Sequence, residues 1–155
     1  MAKILEGSRI GQTATLKIGS CAAIFDETGE KLLLTRRSDN NQWCLPGGGM
    51  DPGESASDNC LREVREETGL QAEVTKLIGI YTSPDRITVY ADGNQFQYVS
   101  MLFEVSVLGG ELELDHESTE VGYFSRAEID DLDLIPNHRE RIPDIYAASE
   151  VTFIR

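Results

Sequence analysis

One segment constrains this chain more than any other: residues 48–70, GGMDPGESASDNCLREVREETGL, in which a glycine-rich loop runs directly into a carboxylate-rich stretch. Pro46 and the Gly47-Gly48-Gly49 run predict an extended or turning segment, since proline fixes φ and glycine permits close backbone approach. From about Ser55 to Thr68 the residues favour a helix, with Ser55 or Ser57 as N-cap and Gly69 placed to end it in a left-handed C-cap. Ala56, Cys60 and Val64 recur every four residues and form the buried stripe. Glu63, Glu66 and Glu67 stand at i, i+3 and i+4, so they are expected to gather as neighbours off that stripe.

Glutamate-rich helix faces are usually solvated charge, and like-charged pairs at these spacings cost only about 0.2–0.5 kcal/mol each, so repulsion alone demands no cation. The surroundings argue otherwise. A glycine loop lies at the helix entrance, Arg62 adjoins the first glutamate, and Glu54 precedes that arginine by eight residues. An oxygen-only cluster suits a hard cation, and Mg²⁺ typically binds through one or two carboxylates, waters and substrate phosphates. A phosphorylated ligand is the expected partner.

The register Gly48, Glu54, Arg62, Glu63, Val64, Glu66, Glu67, Gly69 and Leu70 resembles the Nudix box at every specified position, without a gap. Such a match would arise by chance on the order of once in ten million sequences of this length. The resemblance implies an α/β fold, a Nudix-type α/β/α sandwich with a mixed sheet and the box loop and helix at its centre, from about Lys17 to Ala148. It further implies that Glu63, Glu66 and Glu67 hold Mg²⁺, with Mn²⁺ able to substitute, helped by the Gly48 carbonyl. Glu54 and Arg62 would be the supporting pair that orients those carboxylates. The metal would neutralise a diphosphate and activate a water for in-line attack. The proton acceptor varies within the family. Here Glu66, Glu67, or Glu117 and Glu120 in HESTEVGYF could serve, although an acidic hairpin loop explains the last two equally well.

Composition sets compatible bounds. The 155 residues suit a single domain, 1–155. Fourteen basic against twenty-seven acidic residues give a formal charge of −13, which opposes binding to long nucleic acid and leaves a small nucleotide as the expected partner. Cys21, Cys44 and Cys60 show no metal-ligand spacing and read as small hydrophobes in a reducing compartment. No signal-peptide core or membrane span is visible, so a soluble cytoplasmic protein is expected, with no membrane partner. His116 and His138 read as surface residues. Many Nudix hydrolases are dimers, but no residue here marks a homodimer interface.

Along the chain, 18–25 and 32–35 read as strands of one hairpin turned at 26–29. Further strands are expected at 73–82, 87–90 and 96–107, with a turn at 92–94, and short ones near Leu112 and Tyr123. A helix follows Ser125, and a last one runs from about Pro136 to Ser149.

Residues for substrate choice are less distinct. Arg36 and Arg37 end a strand ahead of the box, where the resemblance implies an arginine on substrate phosphate. Trp43 could stack on a base, though a core or rim position suits it better. Tyr81 and Arg86 flank Pro84, which stands fifteen residues after Gly69, the distance at which ADP-ribose hydrolases of the family carry a proline. A plain turn proline explains it as well. Three function classes follow: a hydrolase of nucleoside diphosphates linked to a group X, ADP-ribose or another sugar nucleotide ahead of nucleoside triphosphates; a nucleotide sensor without turnover; and an isoprenoid diphosphate isomerase. Sensors often lose box glutamates and isomerases use a disrupted box with dedicated cysteines. This chain has neither feature, and hydrolysis is the expected activity.

Overall fold

The computed structural model describes residues 2–155. Its first strand, β1 (Lys3–Glu6), and a 3₁₀ turn at Ile10–Thr13 lead into β2 (Thr15–Ile24), β3 (Lys31–Arg37), β4 (Trp43–Cys44) and β5 (Gly47–Gly49). Helix α1 (Ala56–Thr68) then precedes β6 (Leu70–Tyr81), β7 (Arg86–Val89), β8 (Gln95–Gly110) and β9 (Ser118–Ser125). Three short helices, α2 (Arg126–Asp131), α3 (Pro136–Arg139) and α4 (Ile142–Tyr146), and β10 (Phe153–Ile154) finish the chain.

Two sheets form. The larger runs β1-β7-β8-β2-β5, with β6 also on β8 and β10 on β6; the smaller is β4-β3-β9. The β2–β8 pairing is parallel while β5 lies antiparallel to β2, so the large sheet is mixed. The layers follow from alternation along β2. Cys21 and Ala23 join Leu32, Leu34, Leu102 and the C-terminal Ile129, Ile142 and Ile145 in one core. Ala22 and Ile24 join Leu33, Phe103 and the α1 residues Cys60 and Val64 in the other. Helices therefore cover both faces of the strands, the α/β/α arrangement expected. β3 reads as three consecutive leucines because it is buried on both sides, each leucine fully covered.

Helix α1 begins as its sequence prescribes. Ser55 is the N-cap in a reciprocal box with Asp58, and Gly69 closes the helix at φ 73°. The turn at Asp26–Gly29 also forms, but its flanking strands do not make an extended hairpin. Beyond a single Phe25–Leu32 bridge they separate into different sheets, because β8 and β5 take the edges of β2 while β4 and β9 take those of β3. No strand forms around Leu112, where residues 111–115 are irregular. The last helix is divided into α3 and α4, since Pro143 cannot donate the hydrogen bond that would join them.

Candidate functional site

The glycine loop is fixed to β2 by backbone bonds on both sides: the Ala22 N–H donates to the Pro46 carbonyl at 2.8 Å, and the Met50 N–H to that of Ile18 at 3.0 Å. Helix α1 reaches it through Asn59, which is fully buried. Its Nδ2 donates to the Gly49 carbonyl at 2.9 Å, and its Oδ1 accepts from Ser20 Oγ at 2.5 Å. Asn59 was not among the sequence candidates, although a polar residue three positions from Ala56, beside the apolar stripe, was a visible signal.

Arg62 is the centre of the charged network. Its Nε and Nη2 engage both oxygens of Glu54 at 2.5 and 3.1 Å, Nη2 also donates to the Gly49 carbonyl, and Nη1 donates to Glu63 at 2.8 Å and Glu66 at 3.0 Å. The hydrogen bonds from Arg62 hold the Glu54 carboxyl below its usual range. Glu63 behaves oppositely: burial pushes it up, against the pull of Arg62. Glu67 is pushed up to about 8, mainly by burial, which outweighs the opposing hydrogen bond from the Gly47 N–H, with Glu63 and Asp115 adding a smaller repulsion. That N–H donates to Glu67 Oε2 at 2.9 Å.

The expected gathering of Glu63, Glu66 and Glu67 is corrected in one respect. Glu66 lies out toward solvent with 59% of its side chain exposed, drawn to Arg62 one turn earlier, and among the described residues no three metal-ligating side chains converge on one point. The donors still fit a hard divalent cation. All are oxygens, the Glu63 and Glu67 carboxyls are desolvated, and a Cβ at Gly48 would fall 2.5 Å from Glu63 Oε1, so only glycine leaves the gap between that backbone and the carboxylate.

A cavity of about 430 Å³ opens beside this loop, lined by Lys17, Gly19 and Cys21 of β2, Gly47–Gly49, Arg37, Tyr90, Tyr98 and the α3–α4 residues Asn137, His138 and Arg141. Of the residues expected to choose substrate, only Arg37 lines it, and Arg37 is bonded through two nitrogens to Asp39. Arg36 points to Glu120 at 2.5 Å instead. Trp43 packs edge-on against Phe124 in the core, because its strand is covered on both sides. Tyr81 donates to Asp144, and Arg86 is held between Glu6 and Glu140; both line a smaller recess that adjoins the cavity and shares Thr88, Tyr98, Asn137 and Arg141 with it. Glu117 is exposed in the loop before β9, near enough to add to the charge felt by Glu63.

His138 is not the free surface residue expected. Its Nδ1 accepts the Leu45 N–H at 2.9 Å, and burial together with the charges of Arg141 and Arg37 pushes its pKa well below the usual value. The proton of the neutral ring therefore sits on Nε2. Lys17, Asn137 and Arg141 also escaped sequence reading, since they come from distant segments that only the fold joins.

Replacing Arg62 by Ala is expected to lower kcat by about 10- to 100-fold with a smaller change in KM, because it releases Glu54, Glu63 and the Gly49 carbonyl without removing a cation ligand. Steady-state kinetics checks this, and wild-type kcat in the variant would refute it.

The NUDIX domain family model matches residues 15–147. The chain is 36% identical over 101 residues to an ADP-ribose pyrophosphatase of Methanocaldococcus jannaschii, covering 63% of this chain and 56% of that protein. It is 31% identical over 118 residues to the nucleoside triphosphatase NudI of an Enterobacter species, covering 72% and 84%. Among solved structures, an ADP-ribose pyrophosphatase of Streptococcus suis superposes with a TM-score of 0.69 at 30% identity, covering 91% of this chain and all of the other.

Proposed function

We infer, for a chain that belongs to the Nudix hydrolase family, that it cleaves the diphosphate linkage of a nucleoside diphosphate joined to a group X, with a sugar nucleotide such as ADP-ribose as the substrate class. The carrying observation is the cavity itself, whose lining joins the Gly47–Gly49 loop, against which the Glu63 and Glu67 carboxyls rest, to Tyr90, Tyr98 and Asn137. That leaves space beyond the diphosphate for a further moiety. The likeness to two ADP-ribose pyrophosphatases supports the class. The likeness to a nucleoside triphosphatase supports a second reading, triphosphate hydrolysis, which the same assay separates.

Glu63, Glu66, Glu67 and the Gly48 carbonyl would hold Mg²⁺, which supplies neutralisation of the diphosphate charge and a lowered pKa for a bound water. The chain's own groups prepare that site. Arg62 draws Glu63 and Glu66 to one side of α1 while the bidentate Glu54 fixes the guanidinium. The Gly47 N–H fixes Glu67 through Oε2, leaving Oε1 as the oxygen that can take a proton. Glu117, whose charge reaches Glu63 from its exposed loop, is another candidate acceptor beside Glu66 and Glu120.

Phosphate release, coupled to a phosphatase, should be measured across ADP-ribose, other sugar nucleotides, nucleoside triphosphates and dinucleoside polyphosphates, with and without Mg²⁺. Metal-dependent release from ADP-ribose or another sugar nucleotide is expected. Release from triphosphates alone would establish the second reading, and silence accompanied by tight nucleotide binding would mark a sensor.

A further inference from the structure

Arg141 is 6% exposed, lines the large cavity, and has no acidic partner among the described residues. Its Nη1 donates to Cys21 Sγ at 3.0 Å and its guanidinium lies 4.8 Å from the centroid of the Tyr81 ring, yet its Nε has no partner. The neighbouring acids are taken by other arginines. Glu140 is bonded to Arg86, and Asp144 to Arg155 and Tyr81. The other cavity cations are placed differently, Arg37 against Asp39 and the partly exposed Lys17 over the rings of Tyr90, Phe96 and Tyr98. An enclosed, uncompensated cation is expensive to maintain, and an arriving anion relieves it. One turn before Arg141, the Oδ1 of Asn137 is also buried without a partner.

We propose that Arg141 and Asn137 form a sugar-phosphate subsite, in which the Arg141 Nε–H donates to a phosphoryl oxygen and Asn137 Oδ1 accepts from a hydroxyl of the adjoining sugar. A neutral carbonyl would satisfy the hydrogen bond but not the charge, whereas a phosphoryl oxygen satisfies both. An acceptor such as Asn137 Oδ1 then requires a donor next to the anion, and a sugar phosphate presents that pair. Position agrees. Arg141 contacts Cys21, which is paired with Gly47, so the subsite stands one strand from the loop that fixes Glu67. Assignment of the anion as part of a substrate rests on the hydrolase reading; the anion site does not.

The test uses the whole protein in chelator, so that no turnover enters. Inorganic pyrophosphate and ribose 5-phosphate are titrated by calorimetry and thermal shift into wild type, Arg141→Met, Arg141→Lys and Asn137→Ala, with guanosine and adenosine as neutral controls. The anions should raise the melting temperature of wild type by a few degrees. Arg141→Met should melt at or above wild type without anion, bind pyrophosphate about tenfold or more weakly, and lose the shift. Asn137→Ala should weaken ribose 5-phosphate binding but not pyrophosphate binding. An Arg141→Met protein that melts lower yet binds pyrophosphate as wild type does would make Arg141 merely structural and overturn the proposal. A response to the neutral nucleosides in place of the anions would also overturn it. If Arg141→Met does not fold, Arg141→Lys decides, and an affinity within about twofold of wild type for both anions counts against the site. Anion binding through Arg141 in a protein that hydrolyses nothing would sink the hydrolase reading alone.

Discussion

Glu67→Gln should lower turnover by about a hundredfold or more and, in chelator, make the protein more resistant to unfolding. The first effect removes a charged oxygen donor. The second follows from burial. The Glu67 carboxyl is pushed from an ordinary 4.5 up to about 8, so between those pH values the unfolded chain releases a proton that the folded protein retains. Stability is therefore lost as pH rises through that window, by about 3–5 kcal/mol once both are ionised. Gln keeps an oxygen for the Gly47 N–H and never ionises, so the variant escapes the loss. Thermal unfolding of both proteins in chelator at pH 5 and pH 9 checks this: wild type should fall further than the variant. Equal falls would show that Glu67 is not the responsible group, and Mg²⁺ should stabilise wild type more than the variant.

Gly47→Ala should be among the most damaging single changes in the chain. A Cβ there would meet the Ser20 carbonyl and fall 2.6 Å from Cys21 Cα, both backbone of the paired β2 strand, at a φ of 154°. A paired strand cannot yield as a side chain can, so a loss of about 3 kcal/mol or more is expected, with activity lost alongside because Gly47 carries the N–H that fixes Glu67. Gly53→Ala is the comparison. Its φ of 96° strains an alanine, but nothing lies within 4 Å of the added carbon, so the cost should stay near about 1 kcal/mol with catalysis retained. Urea denaturation of the two variants decides; equal losses would show that backbone conformation, not the contact with β2, sets the cost.

Helix α1 was legible because its signals are local. Ser55, Gly69 and the four-residue spacing of Ala56, Cys60 and Val64 lie in one short window, and each determines a bond or a buried face without help from elsewhere. The Glu54–Arg62 pair was readable through the resemblance to the Nudix box, which names both positions. Glu66 was placed less well, since spacing puts it beside Glu63 on the helix but not where its side chain turns once Arg62 competes for it. The large cavity was mostly hidden. Lys17, Tyr98 and Arg141 come from β2, β8 and the last turns of the chain, and their meeting depends on a parallel β2–β8 pairing that no local pattern specifies. Trp43 illustrates the converse, a conspicuous residue ahead of the box that the three-stranded sheet draws into the core.

Strand β2 divides two tasks between its faces. Lys17, Gly19 and Cys21 line the cavity, while the Ser20 hydroxyl bonds Asn59 of α1 and Ala22 and Ile24 pack toward that helix, Ser20 also touching the cavity. Substitution at the odd positions can reshape what the cavity admits while the even positions go on holding α1. Such a strand separates the shape of the cavity from the seating of α1. A single-residue insertion within it would exchange the two sets of side chains and forfeit both at once.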